Sequence, residues 1–210
     1  MPARASVLFL LPAIVLLALS AACGGGDDSS SEAPSPAAPA RPGWKSFDKP
    51  GFSGQAAPAW KVAVLGREEY LKLAERGLAA LDLDSVETVL EGLETSETIL
   101  LVMMDQDQKF ANNINVQPCF PGEQQRSGKE TVDLYREEAG IAAEVVSRVR
   151  YLDRDYDLIQ ARFYEQVDTY QAWVGDGDCV SIVTLTVRKG ETSPLDDLRA
   201  FLAALEVDED

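Results

Sequence analysis

Residues 169–188 read TYQAWVGDGDCVSIVTLTVR, and this stretch decides the fold. Thr169 to Val174 and Cys179 to Arg188 are runs of β-branched and aromatic residues at strand length. Between them, Gly175-Asp176-Gly177-Asp178 supplies residues that tolerate positive φ or bond their own backbone, so the two runs should close as an antiparallel hairpin. Working outward, Asp157 to Val167 alternates, with Ile159, Ala161, Phe163 and Val167 opposite Gln160, Arg162, Tyr164 and Gln166. Downstream, Ser193 and Pro194 form a helix start, followed by Leu198, Phe201, Leu202 and Leu205 on one face.

Toward the N-terminus, Lys129 to Arg150 places Val132, Tyr135, Ala139, Ala142, Val146 and Val149 at steps of three and four, which predicts one long helix. Pro118 to Gly128 before it is turn chemistry. Ile114 and Val116 share the parity of Phe110, whereas Asn113, Asn115 and Gln117 share the other, as in a strand with one polar face. Thr98 to Met104 is a continuous apolar run, expected to be a central strand covered on both sides. Helices are predicted over 67–81, with Tyr70, Ala74, Leu78 and Leu81 as a stripe, and from about Ser85; Trp60 to Val64 reads as a strand. Several consecutive strands flanked by helices predict a single α+β domain over 44–207, with a short acidic tail at 208–210.

The chain has 210 residues, 35 acidic and 19 basic, a formal net charge of −16 and no histidine. That balance repels a phosphate backbone, so no nucleic-acid partner is expected. Without imidazole, histidine-based triads and most zinc sites are excluded, and no metal or cofactor is expected. Of the three cysteines, Cys23 follows an apolar run from Val7 to Leu19 and the small residues Ser20-Ala21-Ala22. Residues 1–22 thus read as a signal peptide resembling that of bacterial lipoproteins, in which the cysteine is acylated and becomes the new N-terminus. The usual leucine three positions before the cysteine is replaced by Ser20, with Leu19 one step earlier; an ordinary cleavage site ending at Ala22 is the alternative. Residues 23–43, rich in Gly, Ser, Pro and Ala, cannot bury a core and form a tether. Cys119 and Cys179 remain as a pair in an oxidising compartment, to be joined as a disulfide worth about 4 kcal/mol for so long a loop, or kept as buried thiols.

The strand sequences around Phe110-Ala111-Asn112-Asn113-Ile114-Asn115-Val116, Ala161-Arg162-Phe163-Tyr164, Tyr170-Gln171-Ala172-Trp173 and Ile182-Val183-Thr184-Leu185-Thr186, with a helix after the first and another after the last, resemble the PsbP-like fold. They are similar in particular to actinobacterial LpqN-type lipoproteins, over roughly residues 58 to 207. The resemblance implies a central antiparallel sheet between helices, an α/β/α sandwich, and a non-enzymatic binding or assembly role. It carries over no functional residue.

Two side-chain groups are candidates for chemistry. Asp153, Asp155 and Asp157 have the spacing of a calcium loop but lack its glycine and distal glutamate, so a solvated loop before a strand is the preferred reading; Asp176 and Asp178 are explained by the turn. Asn113, Asn115 and Gln117, if beside Gln160, Arg162, Tyr164, Gln166 or Gln171, would form a polar platform for a polar ligand or an envelope protein. The bland alternative is the solvent face of a sheet. The expectation is a lipid-anchored envelope protein, membrane-attached at Cys23, that acts by binding; the rivals are a hydrolase using a carboxylate pair and a structural component without a ligand.

Overall fold

The computed structural model describes residues 41–66, 68–70, 72, 98–104, 112–121, 125–163, 165–176 and 179–207. Its strands are β1 (Lys45–Lys49), β2 (Phe52–Ala56), β3 (Trp60–Gly66), β4 (Thr98–Met104), β5 (Asn113–Pro121), β6 (Ala143–Tyr151), β7 (Arg154–Ala161), β8 (Val167–Asp176), β9 (Cys179–Arg188) and β10 (Glu206–Val207). The helices are α1 (Gly128–Ala139) and α2 (Pro194–Leu202). A seven-stranded sheet runs β3-β4-β5-β9-β8-β7-β6 and a three-stranded sheet runs β1-β2-β10. Every neighbouring pair is antiparallel, which makes this a mixed α+β, sheet-rich fold. No described helix is long and apolar enough to cross a membrane.

The 169–188 hairpin forms the heart of the large sheet. Its register carries from Val167↔Arg188 to Asp176↔Cys179, leaving two residues for the turn. Strands β3 and β4 pair from Trp60↔Met104 to Gly66↔Thr98. β4 lies one strand in from the edge; Leu100 and Val102 enter the main core and Ile99, of opposite parity, is 1% exposed. The predicted helices over 67–81 and from Ser85 fall outside the described residues, apart from helical residues 68–70 and 72.

The helix predicted over Lys129 to Arg150 is a helix followed by a strand. α1 stops at Ala139 because Gly140 takes a left-handed conformation (φ 64°), which costs glycine little, and its N–H bonds the Tyr135 carbonyl. The β-branched run that follows then pairs with β7 as β6. A bulge between Val145 and Ser147 adds one residue, so Ala143 lies under α1 while Val149 and Tyr151 enter the opposite core. That extra residue is why the spacing imitated a helix; Val145 and Val146 are 44% and 40% exposed.

Three other boundaries moved. The predicted turn from Pro118 is the end of β5, and Pro118 sits at a register irregularity between Gln117 and Phe120, where its missing N–H disrupts no ladder. Asp155 and Asp157 belong to β7 rather than a loop, and β7 ends at Ala161, six residues before the alternation suggested. Ser193 stands before α2 with helical angles and no side-chain cap bond; Thr192 O accepts from Leu195 N instead, and Pro194 does open the helix. Strands β1, β2 and β10, short and largely polar, carried no clear pattern.

Alternation along β7 separates two cores. Tyr156 and Leu158 join Leu198, Phe201, Leu202, Leu205 and the buried face of β2, whereas Ile159 and Ala161 pack with Val132 and Tyr135 of α1. Each large aliphatic side chain in the first cluster contributes about 1.5–3 kcal/mol by burial. The small sheet is sealed by close backbone approach: a Cβ at Gly54 would lie 2.8 Å from the Ala204 carbonyl oxygen. Trp60 Nε1 donates to Asp197 Oδ2 at 2.8 Å, tying β3 to α2.

Candidate functional site

The start of α1 is built by Ser127-Gly128-Lys129-Glu130. Glu130 N–H donates to Ser127 Oγ (3.3 Å) and Ser127 N–H donates to Glu130 Oε2 (2.8 Å), a reciprocal capping box. The bond from the Ser127 hydroxyl, followed by that from its backbone N–H, holds the Glu130 carboxyl below its ordinary range. Gly128 N–H donates to Asp157 Oδ2 at 2.9 Å, and Arg148 Nε donates to Asp157 Oδ1 at 3.3 Å. Asp157 therefore clamps the helix start to β7 and orients an arginine on β6. The Ser127-x-x-Glu130 spacing is a signal that could have placed this helix start, which the sequence reading set at Lys129; the Asp157 contact, made across the fold, has no local signal.

Beside this clamp lies a cleft of about 180 Å³, lined among others by Arg126, Ser127, Arg148, Asp155, Asp157 and Trp173. The Arg126 guanidinium stands 5.8 Å from the Trp173 ring centroid, within cation–π range. Trp173 is 4% exposed and its indole N–H makes no hydrogen bond of normal length. Asp155 is ion-paired with Arg150 at 3.1 Å. The two cleft carboxylates are thus each held by an arginine, and among the described residues no group of three acidic or cysteine side chains could hold a metal ion.

A polar row runs from the cleft across the α1 side of the sheet. Asn115 lies opposite Thr184, Thr184 opposite Gln171, and Gln171 opposite Ile159. The Tyr135 hydroxyl donates to Gln171 Oε1, and Gln171 Nε2 donates to Thr184 Oγ1 at 3.3 Å. Burial pushes the Tyr135 hydroxyl well above the usual phenol range, against smaller opposing effects of the Trp173 indole and the Arg126 charge. Asn115 and Thr184 are 8% and 9% exposed, and Gln171 beside them is half-buried.

The expected platform assembles only in part. Asn113 and Gln117, half-buried, flank Asn115 and pair with Thr186 and Ile182. Of the proposed neighbours among the described residues, Gln171 alone joins them. Gln160 has the opposite parity on β7 and donates to Asp168 on the other face. Arg162 is exposed beyond the end of β7, its N–H bonded to the Ala142 carbonyl, and Gln166 lies exposed in the turn before β8. Both corrections follow from β7 ending at Ala161. Tyr164, Asp178 and Cys23 lie outside the described residues. Cys119 and Cys179 stand on the adjacent strands β5 and β9, where Pro121 is the residue opposite Cys179.

No family model matches the chain, and no curated protein matches it. Among solved structures, one from Bacteroides thetaiotaomicron VPI-5482 is similar, with 17% identity and a TM-score of 0.43. The match covers 80% of this chain and 50% of that one, so the chain spans about half that protein's length.

Proposed function

We propose that the chain is a lipid-anchored binding module of the bacterial envelope, attached to the membrane through Cys23 and acting without catalysis on a polar ligand or an envelope protein. The observation that carries the binding reading is the cleft at the start of α1, where Arg126, Arg148 and Trp173 converge beside the Asn115–Thr184–Gln171 row. Donors and acceptors fixed by packing lose little entropy when a polar partner docks. The carboxylates there hold arginines in place, which suits recognition better than proton transfer. The finer fold reading is an α/β/α sandwich of PsbP-like type, with α1 and α2 against opposite faces of the large sheet; the separation of the two cores along β7 supports it. The Cys119–Cys179 disulfide belongs to the same reading; the two cysteines stand on adjacent strands, with Cys179 opposite Pro121, two residues along from Cys119.

The test has two parts. Intact mass of the protein purified from its native membrane should give a diacylglyceryl chain beginning at Cys23, and reduction should add two hydrogen atoms, about 2 Da, for the single disulfide. A photo-crosslinking residue at Gln125, on the cleft rim, should give a discrete adduct in native membranes that Arg126→Ala and Arg148→Ala weaken while Lys129→Ala does not. An unlipidated mass overturns the anchor; an adduct indifferent to both arginines overturns the cleft as the binding site.

A further inference from the structure

Arg148 is held in the cleft through one nitrogen only. Its Nε donates to Asp157 Oδ1 at 3.3 Å, while Nη1 and Nη2 have no partner among the described residues. The side chain is 73% exposed, so this unpaired edge is open to whatever enters. Two parallel N–H groups on a planar fork match the two oxygens of one carboxylate. The carboxylates that line the cleft are engaged elsewhere: Asp157 accepts from Gly128 N–H as well as from Arg148 Nε, and Asp155 is ion-paired with Arg150 at 3.1 Å. The bond to Asp157 also restrains the guanidinium before a ligand arrives, which lowers the entropy lost on binding.

Arg126 adds a second positive charge. It stands over the Trp173 ring, and its charge lowers the Glu130 carboxyl and opposes the rise of the Tyr135 hydroxyl, so it lies beside both β8 and α1. The N-terminal end of the α1 dipole has the same sign. Resting on the reading of this cleft as a binding site, we infer that it takes a carboxylate group, paired edge to edge with Arg148, at the end of a molecule whose remainder stays outside. The size sets the second half of that statement: about 180 Å³ is smaller than the roughly 300 Å³ at which sites for drug-sized ligands begin, and accommodates one end group. The lining selects a carboxylate over a phosphate, because Asp155 and Asp157 repel a dianion about twice as strongly as a monoanion. A free small acid and the C-terminus of a peptide share this chemistry.

Calorimetric titration of the full chain with acetate, with N-acetylglycylglycine and with the C-terminal amide of that dipeptide tests the inference and separates the two sources. The dipeptide acid should bind, and its amide about tenfold more weakly or worse. Arg148→Gln removes the charge and Arg148→Lys keeps it without the fork; each should cost a similar factor, and the lysine variant covers the case in which glutamine disturbs the Asp157 contact. Lys129→Gln, outside the cleft lining, should bind as the wild type does. Acetate binding as tightly as the dipeptide acid identifies a free small acid, a dipeptide about tenfold tighter identifies a peptide terminus, and both results support the carboxylate. No saturable binding of either acid, an amide that binds equally, inorganic phosphate that binds more tightly than both acids, or Arg148 variants that fold and keep wild-type affinity overturns it. If both acids fail while the Gln125 adduct still depends on the two arginines, the carboxylate is wrong and the cleft stands as a site; an adduct indifferent to them removes the site itself.

Discussion

Gly128 approaches Asp157 so closely that a Cβ at position 128 would lie 2.5 Å from both the Cβ and Oδ2 of Asp157. Glycine at the first position of α1 is required by this contact and not by its φ. Gly128→Ala should force Asp157 off β7, breaking its bonds to the helix start and to Arg148 together. The expected loss is about 1–3 kcal/mol, the range for overpacking, read as a lower urea midpoint with an unchanged slope. A midpoint equal to that of the wild type would show that the clamp has room.

The buried Asp168 joins three elements: it accepts from Gln160 Nε2 at 3.0 Å on β7 and from Gly190 N–H at 2.8 Å in the turn leading to α2. Asp168→Ala leaves both donors without partners and should cost about 1–3 kcal/mol, whereas Asp168→Asn, which keeps one carbonyl acceptor, should cost less. Thermal unfolding of the two variants side by side checks the order.

These contacts mark what was legible and what was not. Strand β9 and the central hairpin were read correctly because their β-branched runs and Gly-Asp turn are local signals, and α2 followed from its apolar stripe. The end of α1 was missed although Gly140 marks it, since the bulge at Val146 let two half-strands continue an apparent helical spacing. Site residues fared as their strands did. Asn113, Asn115 and Gln117 share a face because parity within one strand is local, but their neighbours depend on register between strands. Register placed Thr184 and Gln171 there and sent Gln160 to the other side.

Tyr135 predicts an alkaline limit to stability. Burial raises its hydroxyl above the unfolded value of 10.0, so the folded state keeps a proton that the unfolded state releases. The sign follows: stability from this group is complete below pH 10 and falls as pH rises above it. Tyr135→Phe should cost stability at neutral pH by removing the bond to Gln171, yet flatten the decline above pH 10. Unfolding curves from pH 8 to 11 for both proteins test this; parallel declines would place the alkaline sensitivity elsewhere.

Glu130 predicts the opposite slope at acid pH. Its carboxyl is lowered from 4.5 by the Ser127 bonds, so its contribution is present above the unfolded value and disappears as pH falls through the folded one. The stability gap between wild type and Glu130→Ala should therefore narrow below pH 4.5, as measured by denaturant midpoints. A gap that stays constant would mean that the capping box does not depend on the charge.

The bulge at Val146 yields the sharpest test of the fold. Because side chains alternate with a period of two, one residue fewer in β6 reverses the face of everything on one side of the deletion. If the C-terminal half shifts, Val149 and Tyr151, now 2% and 5% exposed, leave the core and Arg148 and Arg150 turn toward it. If the N-terminal half shifts instead, Ala143 leaves α1 and its carbonyl loses the bond from Arg136 Nη2. Expelling Val149 and Tyr151 alone forfeits about 3–6 kcal/mol at the usual value per buried side chain, a large share of a domain's stability. Deleting Val146 should therefore abolish cooperative unfolding, while Val146→Thr, which keeps the extra residue and its exposed position, should unfold within about 0.5 kcal/mol of wild type. A cooperative, native-like deletion variant would mean that β6 can pair with β7 without the bulge and that the two cores do not depend on it.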